Sequence, residues 1–152
     1  MKQNLRDSRT LTHPPPWRLQ GEAFILNYWL KPSFIQRCRH FRQATSPLGR
    51  MVQVLLVRYH SSPIGPYDEL LILDHPLISK LRLNSIPKIF VSTEASVQHG
   101  QQLWGIPKEL AEFKWEEQGQ ETCCTIHFAQ QSMQLHLKKS KKPYSFSIRR
   151  SE

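Results

Sequence analysis

Lys108 is the side chain in this sequence whose surroundings suit nucleophilic chemistry. It follows the run from Glu94 to Trp104, which is bounded by Ser92 and Thr93 on one side and by Gly105 and Pro107 on the other. Ser92 or Thr93 can cap a helix, Glu94 suits its first turn, Gly105 supplies a left-handed stop and Pro107 forbids continuation. The spacing therefore predicts a helix ending near Trp104, with Lys108 on a stiff bend just beyond it. Ala111, Phe113 and Trp115 then alternate with Glu112, Lys114 and Glu116, the period of a half-buried strand. An amine delivered from such a junction into apolar surroundings can attack a carbonyl and form a Schiff base. The amine must be neutral to do so, whereas free lysine titrates near about 10.4. Desolvation or a neighbouring cation removes that proton, and the carboxylate of Glu109 opposes its removal unless it points elsewhere. Without an apolar setting Lys108 is a surface lysine after a helix stop, and the residues alone leave both readings open.

Three segments, in order, extend the pattern beyond Lys108. They are Pro15-Pro16-Trp17 followed by Gly21-x-Ala23-Phe24, then Pro63-x-Gly65-x-x-Asp68-Glu69-Leu70, then His99-Gly100-x-x-x-x-Gly105-x-Pro107-Lys108. Together they span about residues 14 to 116 and resemble the acetoacetate decarboxylase superfamily. Within it they are most similar to the decarboxylase-like branch that includes the plant neoxanthin-deficiency protein. The resemblance implies that Lys108 is the Schiff-base lysine and that Glu69 is a carboxylate lining the active site, near the reacting carbon or its carboxylate, able to act as acid or base. Substrate-binding positions are expected at Tyr67, Trp104 and Glu109. The sequence departs from the family in three places. Glu109 stands where a second lysine follows the nucleophile, an arginine that would fall near Gly21 is absent, and an acidic residue maps onto or beside Val54. Outside the resemblance, Asp68-Glu69 reads as the polar shoulder of a hairpin.

Composition bounds the remaining classes. A chain of 152 residues with 39% hydrophobic content is sized for one domain. The net charge of +9 invites a nucleic-acid reading. Lys138, Lys139, Lys141, Lys142, Arg149 and Arg150 nevertheless concentrate much of it in one tail, which argues for a solvated end and against a reader of phosphates. No apolar run is long enough to span a bilayer, and the N-terminus lacks a signal core, so the expected compartment is the cytoplasm. Cys38, Cys123 and Cys124 are an odd set whose vicinal pair does not suit an ordinary disulfide, so free, partly buried thiols are expected. The histidines lack the paired spacing of a zinc site, and there is no Gly-x-Ser-x-Gly elbow or phosphate-cradling glycine loop. No metal or cofactor is expected. His99-Gly100 is assigned to packing, and Trp17, Trp29, Trp104 and Trp115 serve equally as core or as pocket lining.

The elements that must position Lys108 and Glu69 are mostly strands. Residues 1–13 read as a loose arm, 14–137 as the domain, and 138–152 as a basic tail or final strand. Strands are predicted over 22–30, 51–59, 67–73, 88–92, 111–116, 122–128 and 132–138, with Tyr144, Phe146 and Ile148 continuing the alternation. A short helix is predicted over 33–41, and residues 51–59, apolar on both faces, are expected at the centre of the sheet. The expected fold class is mainly β (α+β): a curved antiparallel sheet or open, cone-like β-barrel with one or two short helices. The decarboxylases resembled are considerably longer chains. Either this sheet closes differently, by pairing with a second subunit, or the chain is truncated near its basic end, and a homodimer is expected. The function expected is a small-molecule pocket around Lys108 and Glu69, acting on a small keto acid as a Schiff-base decarboxylase or related carbon–carbon lyase. The competing class is a non-catalytic binding or accessory protein for an apolar, carotenoid- or lipid-like ligand.

Overall fold

The structure is a computed structural model and describes residues 13–37, 48–75, 85–139 and 149–150. Its elements follow the order β1 (Trp17–Arg18), β2 (Gln20–Leu30), α1 (Pro32–Arg37), β3 (Arg50–Ser61), β4 (Tyr67–His75), β5 (Ser85–Val91), α2 (Glu94–Trp104), β6 (Glu109–Leu110), β7 (Glu112–Gln118), β8 (Glu121–Phe128), β9 (Gln131–Lys138) and β10 (Arg149–Arg150). They form a five-stranded sheet in the order β2-β3-β4-β5-β6, a three-stranded sheet β7-β8-β9, and the pair β1-β10. The sheets are curved and do not close into a barrel, so the mainly β expectation holds in its open form.

Two details differ from the sequence reading. β4, not β3, is the middle strand of the five, because β6 adds to the far side of β5. That addition is parallel, pairing Phe90 with Glu109 and Val91 with Leu110, whereas every other pairing is antiparallel. A nine-residue run, apolar apart from Gln53 and Arg58, cannot by itself distinguish a middle strand from its neighbour, since both are flanked on two sides. The alternating residues 144, 146 and 148 lie outside the described residues, as does Cys38.

β4 divides the chain's two interiors. Its even-numbered side, with Leu56 of β3 and Phe90 of β5, packs Leu70 against Cys124 and Ile126 of β8 and Leu137 of β9. Burial there pushes the Cys124 thiol up to about 12, with the Asp68 and Cys123 charges adding to it, so this cysteine is a core residue without nucleophilic character. The odd-numbered side of β4 carries Tyr67, Glu69 and Leu71. Their registered neighbours are Tyr59, Val57 and Leu55 on β3, with Val91 beside Glu69 and Ile89 beside Leu71 on β5. Val57, Val91 and Ile89 are buried, so Glu69 stands in a row of apolar side chains.

α2 packs on β5 and β6 and is closed at both ends as its sequence dictates. Thr93 is the N-cap, its hydroxyl accepting from the Ser96 amide at 3.3 Å. Gly105 ends the helix at φ 62°, where its amide donates to the Gln101 and Gly100 carbonyls. The left-handed conformation is one that a Cβ disfavours, and it sets the direction in which the chain leaves toward Lys108. Nothing crowds Gly105, so the penalty of a side chain there is conformational alone. We expect Gly105→Ala to lower stability by about 1 kcal/mol in urea unfolding, by the usual cost of a left-handed alanine. A neutral substitution would mean that the turn is not held in this conformation.

Candidate active site

Lys108 lies on the link between α2 and β6 and is only 3% exposed. Its backbone is held at both polar groups: its amide donates to the Ile106 carbonyl at 2.8 Å, and its carbonyl accepts from the Gln101 side-chain amide at 3.1 Å. The side chain runs inward past α2. Gly100 makes room for it, because a Cβ at position 100 would stand 2.6 Å from Lys108 Cδ and 2.9 Å from Cε. The packing role expected for Gly100 is therefore specific, with the close neighbour being the lysine stem itself.

At the end of that path the Lys108 ammonium donates to Glu69 Oε2 at 2.8 Å and to Ser96 Oγ at 3.1 Å. Both side chains of the ion pair are nearly sealed from solvent, at 2% for lysine and 3% for glutamate. The ring of Tyr67 faces the nitrogen with its centroid 5.4 Å away, and Tyr59 packs on Tyr67 at 4.7 Å between centroids. Two residues 39 positions apart are thus brought into direct contact, one by a helix stop and one by strand alternation. The surface-lysine reading of Lys108 does not hold.

Trp104 ends α2 and meets Trp17 edge-on at 4.9 Å between centroids, while Trp17 also packs on His99 at 5.5 Å. Trp17 is buried and donates its indole N–H to the His13 carbonyl at 3.0 Å. The N-terminal Pro-Trp segment therefore forms a wall behind α2. His99 is buried in the same cluster, with Nδ1 against the Ala95 carbonyl at 2.9 Å.

Glu109 lies apart from the amine of the lysine it follows. Its carboxylate pairs with Lys88 and is half-exposed, so the structure does not bring it to the Lys108 amine. The cause is strand alternation: consecutive residues 108 and 109 enter β6 facing opposite ways. The carboxylate next in sequence to Lys108 is engaged with Lys88. The same alternation separates Asp68 from Glu69. Asp68 faces the three-stranded sheet, where burial raises its carboxyl above the usual range, partly opposed by Trp115, Arg58 and His60.

The family departures also have physical causes. Gly21 sits at an irregularity between β2 and β3, where a Cβ would fall 2.2 Å from the Arg58 carbonyl oxygen, so no arginine fits there without moving the strand. Val54 packs against the cluster between the two larger sheets, the interior opposite Glu69. Ser96, Gln101 and the lysine-cradling role of Gly100 escaped the sequence reading. The signal was the face shared by positions 96 and 100, one helical turn apart, both small and both buried. Among the described residues, no group of His, Cys, Asp and Glu converges as a metal site, and no helix is long and apolar enough to cross a membrane.

The family model described as acetoacetate decarboxylase matches residues 6–133. None of the curated proteins compared matches the chain. Among solved structures, an acetoacetate decarboxylase from Legionella pneumophila subsp. pneumophila str. Philadelphia 1 aligns with a TM-score of 0.62 at 16% identity, covering 95% of this chain and 61% of that one. A second acetoacetate decarboxylase gives 0.65 at 13% identity, with 95% and 60% covered. The enduracididine biosynthesis enzyme MppR, complexed with the condensation product of pyruvate and imidazole 4-carboxaldehyde, gives 0.59 at 14% identity, with 90% and 62% covered. The likeness establishes the shared fold, and the chain spans about three fifths of the length of these structures.

The burial of the ion pair generates a stability test. Removing one partner leaves a charge in an apolar enclosure, so Glu69→Leu and Lys108→Met should each cost about 3–5 kcal/mol in denaturant unfolding. The double variant should lose far less than the sum of the two, because no charge is stranded. Single variants costing under about 1 kcal/mol, the range of exposed pairs, would show that water reaches the pair.

Proposed function

This chain belongs to the acetoacetate decarboxylase family, and from that premise we propose that it is a Schiff-base enzyme cleaving a carbon–carbon bond of a small keto acid. The observation that carries the proposal is the 2.8 Å contact between Lys108 Nζ and Glu69 Oε2 inside an apolar row of strand residues. A lysine that is to attack a carbonyl must first surrender a proton, and Glu69 is the acceptor within hydrogen-bond reach. In this reading the neutral amine adds to the keto carbon of a β-keto acid. The nitrogen lone pair forms the C–N bond, and the C=O π pair becomes an oxygen lone pair that is protonated. Water leaves, and the resulting iminium draws the electrons of the adjacent C–C bond as carbon dioxide departs. Glu69, a carboxylate again once its proton has left in that water, relays a proton taken up from solvent to the enamine carbon, and hydrolysis releases the ketone and the lysine. Tyr67 packs its ring face over the nitrogen as substrate enters, and Trp104 with Trp17 forms the apolar wall behind α2.

Within the family, the Pro16-Trp17, Asp68-Glu69-Leu70 and His99-Gly100 segments support the branch that includes the plant neoxanthin-deficiency protein. A homodimer remains the assembly proposed, on the unclosed five-stranded sheet and its edge strand β2 among the described residues, and the cytoplasm remains the compartment proposed. Residues 14–137 are proposed as the unit that carries the activity. The competing reading, a non-catalytic binder of an apolar ligand, requires a Lys108 that never becomes nucleophilic.

Borohydride added with acetoacetate should trap a covalent adduct that peptide mass spectrometry maps to Lys108, and Lys108→Ala should abolish it. Because the Glu109 side chain is spent on Lys88 at the surface, Glu109→Lys should leave the trapping rate within about twofold of the parent, as for a surface charge in high dielectric. If no short keto acid yields an adduct, the lyase reading fails and the binder stands.

A further inference from the structure

Resting on the Schiff-base reading above, we propose that Ser96 is a positioning residue that fixes the direction from which Lys108 attacks. A lysine ammonium carries three N–H bonds on a freely rotating end group. Burial makes each of them costly to leave unpartnered. Glu69 and Ser96 accept two of them, at 2.8 and 3.1 Å, and the nitrogen lies over the Tyr67 ring, 5.4 Å from its centroid.

The carbon stem below the nitrogen has no latitude, since it lies in the space that only a glycine at position 100 leaves open. Rotation about the Cε–Nζ bond is the freedom that remains, and the Ser96 hydroxyl removes it. Ser96 is itself fixed: it is 1% exposed, it sits in the first turn of α2, and its amide is held by the Thr93 cap. Its hydroxyl has no solvent to turn to.

The consequence appears when the proton on the Glu69 side passes to that carboxylate. One N–H stays on Ser96 and the stem stays in the Gly100 channel, so the lone pair emerges along the line the proton left. The amine is then nucleophilic toward Glu69 and not toward α2. A keto carbon must enter between Lys108 and Glu69, which places the newly protonated carboxyl beside the carbonyl oxygen. As the lone pair forms the C–N bond and the C=O π pair moves to oxygen, Glu69 can hand its proton to that oxygen. Position 96 thereby couples the helix cap to the stereochemistry of attack.

Two reagents separate this inference from the function it rests on. Cyanate, as isocyanic acid, carbamylates a neutral amine without any keto-acid recognition, and acetoacetate with borohydride reports Schiff-base formation. Ser96→Ala should slow both reactions at Lys108 by roughly tenfold, the scale of one hydrogen bond to a charged or reacting group. The half-saturating acetoacetate concentration should not change. Alanine is the strongest helix former, so α2 should persist, which a thermal melt checks. Ser96→Cys, of similar volume and weaker acceptor strength, should give intermediate rates.

Wild-type rates in Ser96→Ala, or an altered half-saturation with an intact rate, overturn the positioning role. Ser96-dependent carbamylation without any keto-acid adduct removes the Schiff-base function and leaves the positioning role. A keto-acid adduct whose rate ignores Ser96 does the reverse. A Lys108 inert to both reagents overturns both.

Discussion

A buried ammonium and a buried carboxylate tolerate each other only in direct contact, and this requirement organises the region around Lys108 and Glu69. Desolvating either ion alone costs several kcal/mol, and their attraction compensates only when the geometry is good and the remaining donors are occupied. The 2.8 Å contact, the Ser96 hydroxyl and the Tyr67 ring meet these conditions together. Lys108, Glu69 and Ser96 come from different parts of the chain: the link after α2, the middle strand β4, and the first turn of α2. A shift of any of the three would strand a charge, so the pair constrains how the helix sits on the sheet.

The helix is built to respect that constraint. Thr93 fixes where α2 begins and therefore where Ser96 points, while Gly105 fixes where it ends and therefore where Lys108 departs. Gly100, between them, leaves the lysine stem its channel. Gln101 ties the last turn to the Lys108 carbonyl, so that the helix and the residue it delivers move as one piece. Two glycines that look alike in the sequence do different work. One is needed for a backbone angle and the other for the absence of a side chain.

β4 does the complementary work on the sheet. Alternation gives adjacent carboxylates opposite surroundings: Glu69 meets a cation among valines, and Asp68 faces the second sheet, where burial raises its carboxyl. The same alternation, at the start of β6, turns Glu109 away from the amine and onto Lys88. Sequence neighbours are thus separated electrostatically, while residues distant in sequence are joined. The acetoacetate decarboxylase fold supplies this arrangement in a chain of about three fifths the length of the solved relatives, without closing a barrel.

Local rules determined much of this in advance. Capping residues, a left-handed glycine and a proline are read from a few adjacent positions, so α2 and the bend at Lys108 were legible, as were most strands from their period of two and the family from three ordered segments. What a linear pattern cannot hold is the partner across space. That β4 and not β3 is the middle strand depends on β6 returning in parallel beside β5. That the Glu109 carboxylate is engaged away from the Lys108 amine depends on Lys88, 21 residues earlier, standing where it arrives. Gly21 could be seen to lack a side chain, but the Arg58 carbonyl that forbids one belongs to the neighbouring strand. Whether Lys108 is a solvated cation or an enclosed one was decided only by tertiary structure, because burial is a property of everything packed around a residue and not of the residues beside it in the chain.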